Sequence, residues 1–157
     1  MRFKFLFTLA NEKFPIQYRK SIMSFIKMSL QGYDEETFNN LYHEKDPIMK
    51  PYTFAVFFKN PKFEGDTILL EDKKIELNFS IQDYNVAINI YNSFNHQLHR
   101  AFPLAQNSMT LQKNSIIPEN QIKTDEIIIK FMSPLVVREH NNESKKGYYY
   151  SFQHQKF

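Results

Sequence analysis

The beginning of the chain alternates between apolar and mostly polar positions. In residues 2–9 one side of the pattern is strongly apolar, with the period of a β-strand that buries one face. After Pro15 the spacing of apolar residues changes to steps of three and four, at Tyr18, Ile22, Phe25, Ile26 and Leu30. This second period predicts an amphipathic helix that ends at Gly32.

The same two periods predict the remaining elements. Helices are predicted over residues 34–42 and 82–102, the first with Asp34 as its N-cap. Strands are predicted at residues 52–58, 68–70, 75–81, 109–117, 127–132 and 147–152, and residues 61–66 are interpreted as a loop. Residues 52–58 are apolar on both faces, which favours a central strand, and Asp72 with two lysines favours a hairpin turn between strands 68–70 and 75–81.

The order strand, helix, strand, strand, helix, strand predicts an α+β, ferredoxin-like (RRM-like) βαββαβ domain. Short connections close this order into an antiparallel sheet with two helices on one face. The core between them is expected to contain Phe3 or Phe5 together with Ile22, Phe54, Leu77, Tyr91 and Phe94. Because this fold serves RNA-recognition domains, acylphosphatases and metal carriers alike, the function has to be argued from side chains.

The composition excludes several classes of function. With 42% hydrophobic and 24% charged residues the chain is expected to fold, and the absence of an apolar run of about 18 residues argues for a cytoplasmic protein without a membrane partner. The chain has no Cys and only 3 Gly, which excludes thiolate chemistry and disfavours phosphate-cradling loops, so no cofactor is expected. Residues 1–62 carry 10 Lys/Arg against 6 Asp/Glu, a bias that fits a nucleic-acid surface and also ordinary solubilising charge.

One group of polar residues could carry chemistry. His43 follows the second predicted helix, Lys50 comes seven residues later, and Lys27 lies on the polar side of the first helix, with Tyr33 and Tyr42 nearby. A histidine that moves a proton and ammonium groups that neutralise charge on a phosphorane are what metal-free RNA cleavage requires. A solvated loop histidine before an Asp-Pro turn explains the same residues.

The other histidines favour no metal site. His96 and His99 lie three residues apart on the polar side of the predicted long helix, which permits joint metal binding, but no carboxylate stands at a helical step beside them. A solvated surface is the favoured interpretation, and no metal is expected.

Three segments of the chain form a distinctive set: MRFKFLFTL with the helix after it, LYHEKDPIMKPYTFAVFF, and IIIKFMSPLVVREH. Together they resemble the CRISPR repeat-RNA endoribonucleases of the Cas6 family, in the RAMP superfamily. In that family a Leu-x-His element carries the catalytic histidine, which Leu41-Tyr42-His43 fits. A Phe-x-x-Ser-Pro strand that continues to Val-Arg opens a second ferredoxin-like domain, and the residues that fit it are Phe131, Ser133, Pro134, Val137 and Arg138.

The resemblance implies an enzyme that cuts CRISPR precursor RNA within each repeat, without metal, and leaves 2′,3′-cyclic phosphate and 5′-hydroxyl ends. His43 falls on the family's catalytic histidine, Lys50 on its downstream lysine, and Lys27 on a helix position that is tyrosine or basic in members. His43 would act as acid or base, Lys27 and Lys50 would stabilise the phosphate, and Lys20, Lys27 and Lys50 would form an RNA track. The alternative is a noncatalytic RNA-binding RAMP subunit of a CRISPR effector complex.

The chain departs from the family near its C-terminal end. Members finish with a glycine-rich loop that helps hold the repeat RNA, whereas this sequence has no glycine after Gly147. We therefore expect a first domain at residues 1–125 and, at residues 126–157, the first strands of a truncated second ferredoxin-like domain. Its unpaired strands would favour a homodimer, beside the expected partners, the CRISPR repeat RNA and other effector subunits.

Overall fold

The computed structural model describes residues 1–42, 50–104, 106–118, 123–128, 137–140, 147–151, 153 and 155. The chain divides into two compact units, Met1–Asn120 and Gln121–Phe157. Within the described residues, no helix combines the length and the apolar character that crossing a membrane requires.

The described part of the first unit contains helices and strands in a mixed order. The helices are α1 (Tyr18–Gln31), α2 (Glu35–Tyr42) and α3 (Tyr84–His96). The strands are β1 (Arg2–Leu9), β2 (Lys13–Pro15), β3 (Tyr52–Phe58), β4 (Lys62–Glu64), β5 (Thr67–Leu69), β6 (Lys74–Ile81), β7 (Ala101–Leu104) and β8 (Asn107–Ile117). In the second unit β9 (Val137–His140) pairs antiparallel with β10 (Gly147–Tyr150), which confirms the strand predicted over residues 147–152.

The main sheet has five antiparallel strands in the order β3-β6-β1-β8-β7. Its first four members reproduce the strand order of a ferredoxin-like fold, in which the first strand lies beside the third and fourth of the motif. The helices α1 and α2 connect β1 to β3, and α3 connects β6 towards β8. The predicted α+β, ferredoxin-like class is therefore confirmed, with β7 added at one edge.

Phenylalanine fills the core between this sheet and the helices. Strand alternation places Phe5 of β1 toward Phe94 of α3, with ring centroids 4.6 Å apart, and Phe25 of α1 lies 4.9 Å from Phe94. The predicted core residues Phe3, Phe5, Ile22, Leu77 and Phe94 are buried, and Phe54 and Tyr91 pack against them half-buried. Burying each such side chain contributes about 1.5–3 kcal/mol to the free energy of folding, which explains why most of the phenylalanines lie in this core.

The prediction of a hairpin between residues 68–70 and 75–81 is wrong. β5 pairs with β2 and β4 in a separate three-stranded sheet, while β6 pairs with β1 and β3. Lys73 adopts a φ of 54°, and its turn leads the chain from one sheet into the other. Residues 61–66, expected to be a loop, contain β4.

Two further boundaries differ from the sequence expectation. The helix predicted to residue 102 ends at His96, because Leu98 bridges to Leu111, His99 has a φ of 62°, and Phe102 enters β7. β3, expected to be central, lies at an edge of the described main sheet. The strand predicted at residues 127–132 lies largely outside the described residues.

Candidate functional site

The ring of Tyr42 brings two of the predicted lysines together. Tyr42 is the last residue of α2, and its ring centroid lies 5.0 Å from Nζ of Lys27 and 5.1 Å from Nζ of Lys50. Ammonium groups at this distance are attracted by the negative face of an aromatic ring. Two residues 23 positions apart in sequence therefore share one anchor.

The hydroxyl of Tyr42 is fixed by a second tyrosine. It forms a short hydrogen bond with the hydroxyl of Tyr52 at the start of β3, and Tyr52 donates in turn to Sδ of Met23 at 3.8 Å. Burial raises the pKa of both phenols, and for Tyr42 the hydrogen bond it donates to Tyr52 adds to the rise. Both side chains therefore stay neutral near pH 7, and they position neighbouring groups without releasing a proton.

Lys50 has an additional partner at the end of α2. Its ammonium donates a short hydrogen bond to the carbonyl oxygen of Leu41, one of the last carbonyls of that helix. Such carbonyls lack a partner within the helix and carry its partial negative charge, so a cation is stabilised there. Lys50 is thus held at the point where α2 ends and where residue 43 follows.

The other end of α2 is fixed by a polar chain that reaches α3. Asp34 accepts from the backbone N–H of Thr37 at 3.0 Å and from its hydroxyl at 2.6 Å, and Asn89 of α3 donates to the same hydroxyl at 2.8 Å. The hydroxyl bond of Thr37, followed by its backbone bond, lowers the pKa of Asp34 below its ordinary value. This capping arrangement sets the direction in which α2 delivers Tyr42.

No carboxylate of the described residues forms an ion pair with Lys27 or Lys50. In the part of the chain that the structure describes, the ion pairs join Lys4 to Glu76 and Lys62 to Glu71. Lys27 and Lys50 face an aromatic ring and a carbonyl instead, and neither of these cancels a full positive charge. The arrangement can therefore hold a phosphate group without first breaking a pair with a described carboxylate.

The remaining predicted residues are placed as follows. Lys20 is exposed on α1, seven residues before Lys27 and therefore near the same side of the helix. Tyr33, expected near the site, is 47% exposed and contacts the ring of His96 at 6.0 Å. His43 lies outside the described residues, so the catalytic and RNA-binding roles of His43, Lys20, Lys27 and Lys50 stay predictions.

Sequence reasoning missed Tyr52 and Met23. Tyr52 opens an aromatic strand and Met23 lies in an amphipathic helix, so both fit the pattern of ordinary core residues. The only signal was a hydroxyl-bearing ring among phenylalanines, because a buried tyrosine hydroxyl usually finds a partner.

The histidines weighed for metal binding are separated by the fold. His96 ends α3, while His99 lies beyond it in a left-handed conformation, and both are exposed. No group of three or more histidine or carboxylate side chains suited to a metal occurs among the residues that the structure describes.

One family model matches the chain, that of the CRISPR-associated protein Cas6, C-terminal, over residues 117–157. No curated protein shows significant sequence similarity to the chain. The matched residues include Phe131, Ser133, Pro134, Val137 and Arg138, which belong to the last of the three segments that carry the sequence resemblance.

Solved structures show the same fold. An RAMP protein that binds different RNA substrates matches with a TM-score of 0.75 at 18% identity, covering 99% of this chain and 64% of its own. A CRISPR-associated protein Cas6 gives 0.63 at 17%, covering 100% and 64%, and a Cas6-related protein from Pyrococcus furiosus gives 0.69 at 16%, covering 99% and 63%. The chain thus spans under two thirds of the length of these structures, and at 16–18% identity the likeness shows a shared fold.

Proposed function

We propose that this Cas6-type chain belongs to an endoribonuclease that processes CRISPR precursor RNA within its repeats. The observation that carries the proposal is the convergence of Lys27 and Lys50 on Tyr42, at the end of the helix that His43 directly follows. Two cations and a histidine would supply charge stabilisation and proton transfer, the two contributions that cleavage of a phosphodiester needs.

The proposed reaction begins with the ribose 2′-hydroxyl, which attacks the adjacent phosphorus as it loses its proton. The bond to the 5′-oxygen then breaks, and that oxygen takes up a proton, leaving a 2′,3′-cyclic phosphate and a 5′-hydroxyl. His43 handles one of these two protons. Lys27 and Lys50 face the negative charge that builds on the phosphoryl oxygens, while neutral Tyr42 and Tyr52 hold them in place.

The cleavage rate of the His43→Ala variant tests this mechanism. Single-turnover cleavage of a repeat RNA should fall by on the order of 10² or more while affinity stays within a few-fold, because a general acid or base acts mainly in the transition state. His96→Ala is the matched control, since this histidine is exposed at the end of α3 and should leave cleavage unchanged.

Substrate chemistry provides a second check. A 2′-deoxy nucleotide 5′ of the scissile phosphate should abolish cutting by removing the nucleophile, and a chelator should leave the rate unchanged. Cleavage that survives either His43→Ala or the deoxy substitution, or that requires a divalent ion, would refute the mechanism. An RNA that binds tightly but is never cut would instead favour the noncatalytic RAMP subunit. A homodimer, other effector subunits and a cytoplasmic location stay predictions from the sequence.

A further inference from the structure

One edge of β3 meets no other strand among the residues that the structure describes. Gln82, just after β6, donates to the carbonyl of Pro51 at 3.2 Å, so residues 51, 53, 55 and 57 form the hydrogen-bonded pairs with β6. The residues between them direct their backbone N–H and C=O groups away from β6. This row of groups, which we call the free edge of β3, belongs to Tyr52, Phe54, Val56 and Phe58.

The other edges of the two sheets in the first unit carry features that hinder the addition of a strand. Their outward-directed residues include Pro103 on β7 and Pro15 on β2, and proline has no N–H to donate. On β2 the carbonyl of Lys13 also accepts from the side chain of Asn107 at 2.5 Å. β4 is three residues long and follows Pro61. Prolines and short strands are common protections of sheet edges.

β3 has none of these protections. It is seven residues long, and residues 52–58 contain neither a proline nor a charged side chain. A long, uncharged edge strand is a template for pairing with another strand. On the side of the core Phe54 and Val56 are only partly buried, and on the opposite side Phe57 is 55% exposed. An added strand would therefore cover apolar side chains on both faces of the sheet.

We infer that the free edge of β3 pairs with the same edge of a second copy of this chain, antiparallel and centred on Ala55. In this register Phe54 lies opposite the partner's Val56, and Thr53 lies opposite the partner's Phe57. An aromatic and a β-branched residue are favourable neighbours across two strands, and no like charges face each other. Ala55 meets its own copy in a pair without hydrogen bonds, where side chains lie closest and a small residue fits.

The sequence of β3 supports a second copy as the partner. A strand that is apolar on both faces is typical of the interior of a sheet, yet β3 lies at an edge of the described sheet. Pairing with its own copy joins two five-stranded sheets and gives β3 a neighbour on each side. A partner of different sequence is ordinarily selected by charged positions, and β3 contains none. Because a strand edge buries less than the roughly 1,200 Å² of stable interfaces, we expect the dimer to dissociate at micromolar concentrations.

Sedimentation equilibrium of the chain at concentrations from about 1 to 100 µM tests the inference, and the average mass should rise from monomer towards dimer. Ala55→Lys should keep the chain monomeric, because it places two like charges opposite each other at the centre of the pairing. Ser80→Lys is the matched control, since Ser80 is also exposed but lies on β6, inside the sheet. A mixture of Ala55→Lys with Ala55→Glu should form a dimer again, because opposite charges then meet.

A cross-link provides a second measurement that does not depend on a charged variant. The chain has no Cys, so Ala55→Cys carries a single thiol. Opposite residues in a pair without hydrogen bonds have Cα atoms about 4.5 Å apart, which lies within the range that a disulfide spans. Oxidation with diamide should therefore convert Ala55→Cys into a covalent dimer on a non-reducing gel, whereas Ser80→Cys should stay monomeric.

Each outcome decides the inference, and none of them bears on the proposed RNA cleavage. A monomer mass that stays constant over this range of concentrations overturns it. A dimer that persists in Ala55→Lys is held by another surface, such as residues 126–157, and overturns it as well. Equal cross-linking of Ala55→Cys and Ser80→Cys would refute pairing at Ala55. If Ala55→Lys lowers the melting temperature, the cross-link of Ala55→Cys decides in its place.

Discussion

Two lysines at different places in the first unit illustrate two ways of holding a cation. Lys50 is half-buried, contacts the ring of Tyr42 and donates to the carbonyl of Leu41. Lys62 is exposed and forms a 2.6 Å ion pair with Glu71, which raises the pKa of the lysine and lowers that of the carboxyl. The ion pair has the more familiar geometry, yet exposed pairs contribute little because water and salt screen them.

The difference concerns function more than stability. An ion pair neutralises its lysine, whereas an aromatic ring and a helix-end carbonyl fix a lysine in position and leave its charge available. Lys50 beside Tyr42 therefore keeps a positive charge that an anionic ligand can contact, whereas Glu71 neutralises the charge of Lys62. The predictions below test this contrast.

The largest effect is expected from Tyr42→Ala. The change removes the anchor of both lysines, the ring contact with Phe38 at 5.4 Å and a buried hydroxyl bond, so stability should fall by about 2 kcal/mol. Tyr42→Phe keeps the ring and should cost about 1 kcal/mol, the net value of one hydrogen bond. Urea unfolding measures both. Tyr84→Ala is the control, because Tyr84 is 64% exposed, and an equal loss there would show that Tyr42 has no special role.

A smaller effect is expected at the other end of α2. Asp34→Ala should destabilise the protein by about 1 kcal/mol through loss of the helix cap. Because the folded pKa of Asp34 is depressed, its contribution is complete above the ordinary value of 3.8 and is lost as pH falls through the folded pKa. The wild type should therefore lose more stability than Asp34→Ala on acidification below about pH 4.

Salt separates the two kinds of carboxylate in the same measurement. The lowered pKa of Glu71 depends on an exposed cation and should return toward its ordinary value in 1 M KCl, whereas that of Asp34 depends on hydrogen bonds to Thr37 and should change little. NMR titration at two salt concentrations measures the pKa values of both carboxyl groups. Equal salt sensitivity would contradict the distinction drawn here.

The smallest effect in free energy concerns the lysines themselves. Lys50→Gln should weaken repeat-RNA binding a few-fold and reduce its salt dependence by about one counterion, since one phosphate contact is lost. Lys62→Gln should leave RNA affinity and melting temperature unchanged, because Lys62 is already paired and exposed. Binding isotherms at several salt concentrations compare the two, and indistinguishable variants would remove the basis for the contrast.

The fold could be predicted from sequence where burial is one-sided. β1 and β6 alternate cleanly because one face meets the helices and the other does not, and α1 shows its helical period for the same reason. Prediction failed at the short strands β2 and β4, since three residues carry no readable period, and it assigned the wrong partner to β5, which pairs outside the main sheet. The long helix was predicted to extend too far because Leu98 and Ala101 continue its spacing, although Leu98 bridges to Leu111 and Ala101 begins β7.

The site was predictable in part. Lys27 and Lys50 were grouped from the sequence, and the structure brings them to one ring. The role of Tyr52 could not be predicted from the sequence, because the hydrogen bond between the hydroxyls of Tyr42 and Tyr52 depends on how α2 packs against β3. Asp34 was predicted as the N-cap of α2, but the link from Thr37 to Asn89 of α3 was not, because those two residues are 52 positions apart and meet only through tertiary packing.

The irregularity in β8 has a consequence for how this sheet tolerates changes in chain length. Leu6 pairs with Lys113 and Phe7 with Leu111, so Gln112 stands unpaired as a β-bulge, with its side chain bonded to Thr8 at 2.8 Å. Removing Gln112 would leave every other partner of β1 as it is, and each side chain would keep its face. A single-residue deletion, which elsewhere in a strand would turn the core outward, is neutral in register at this position.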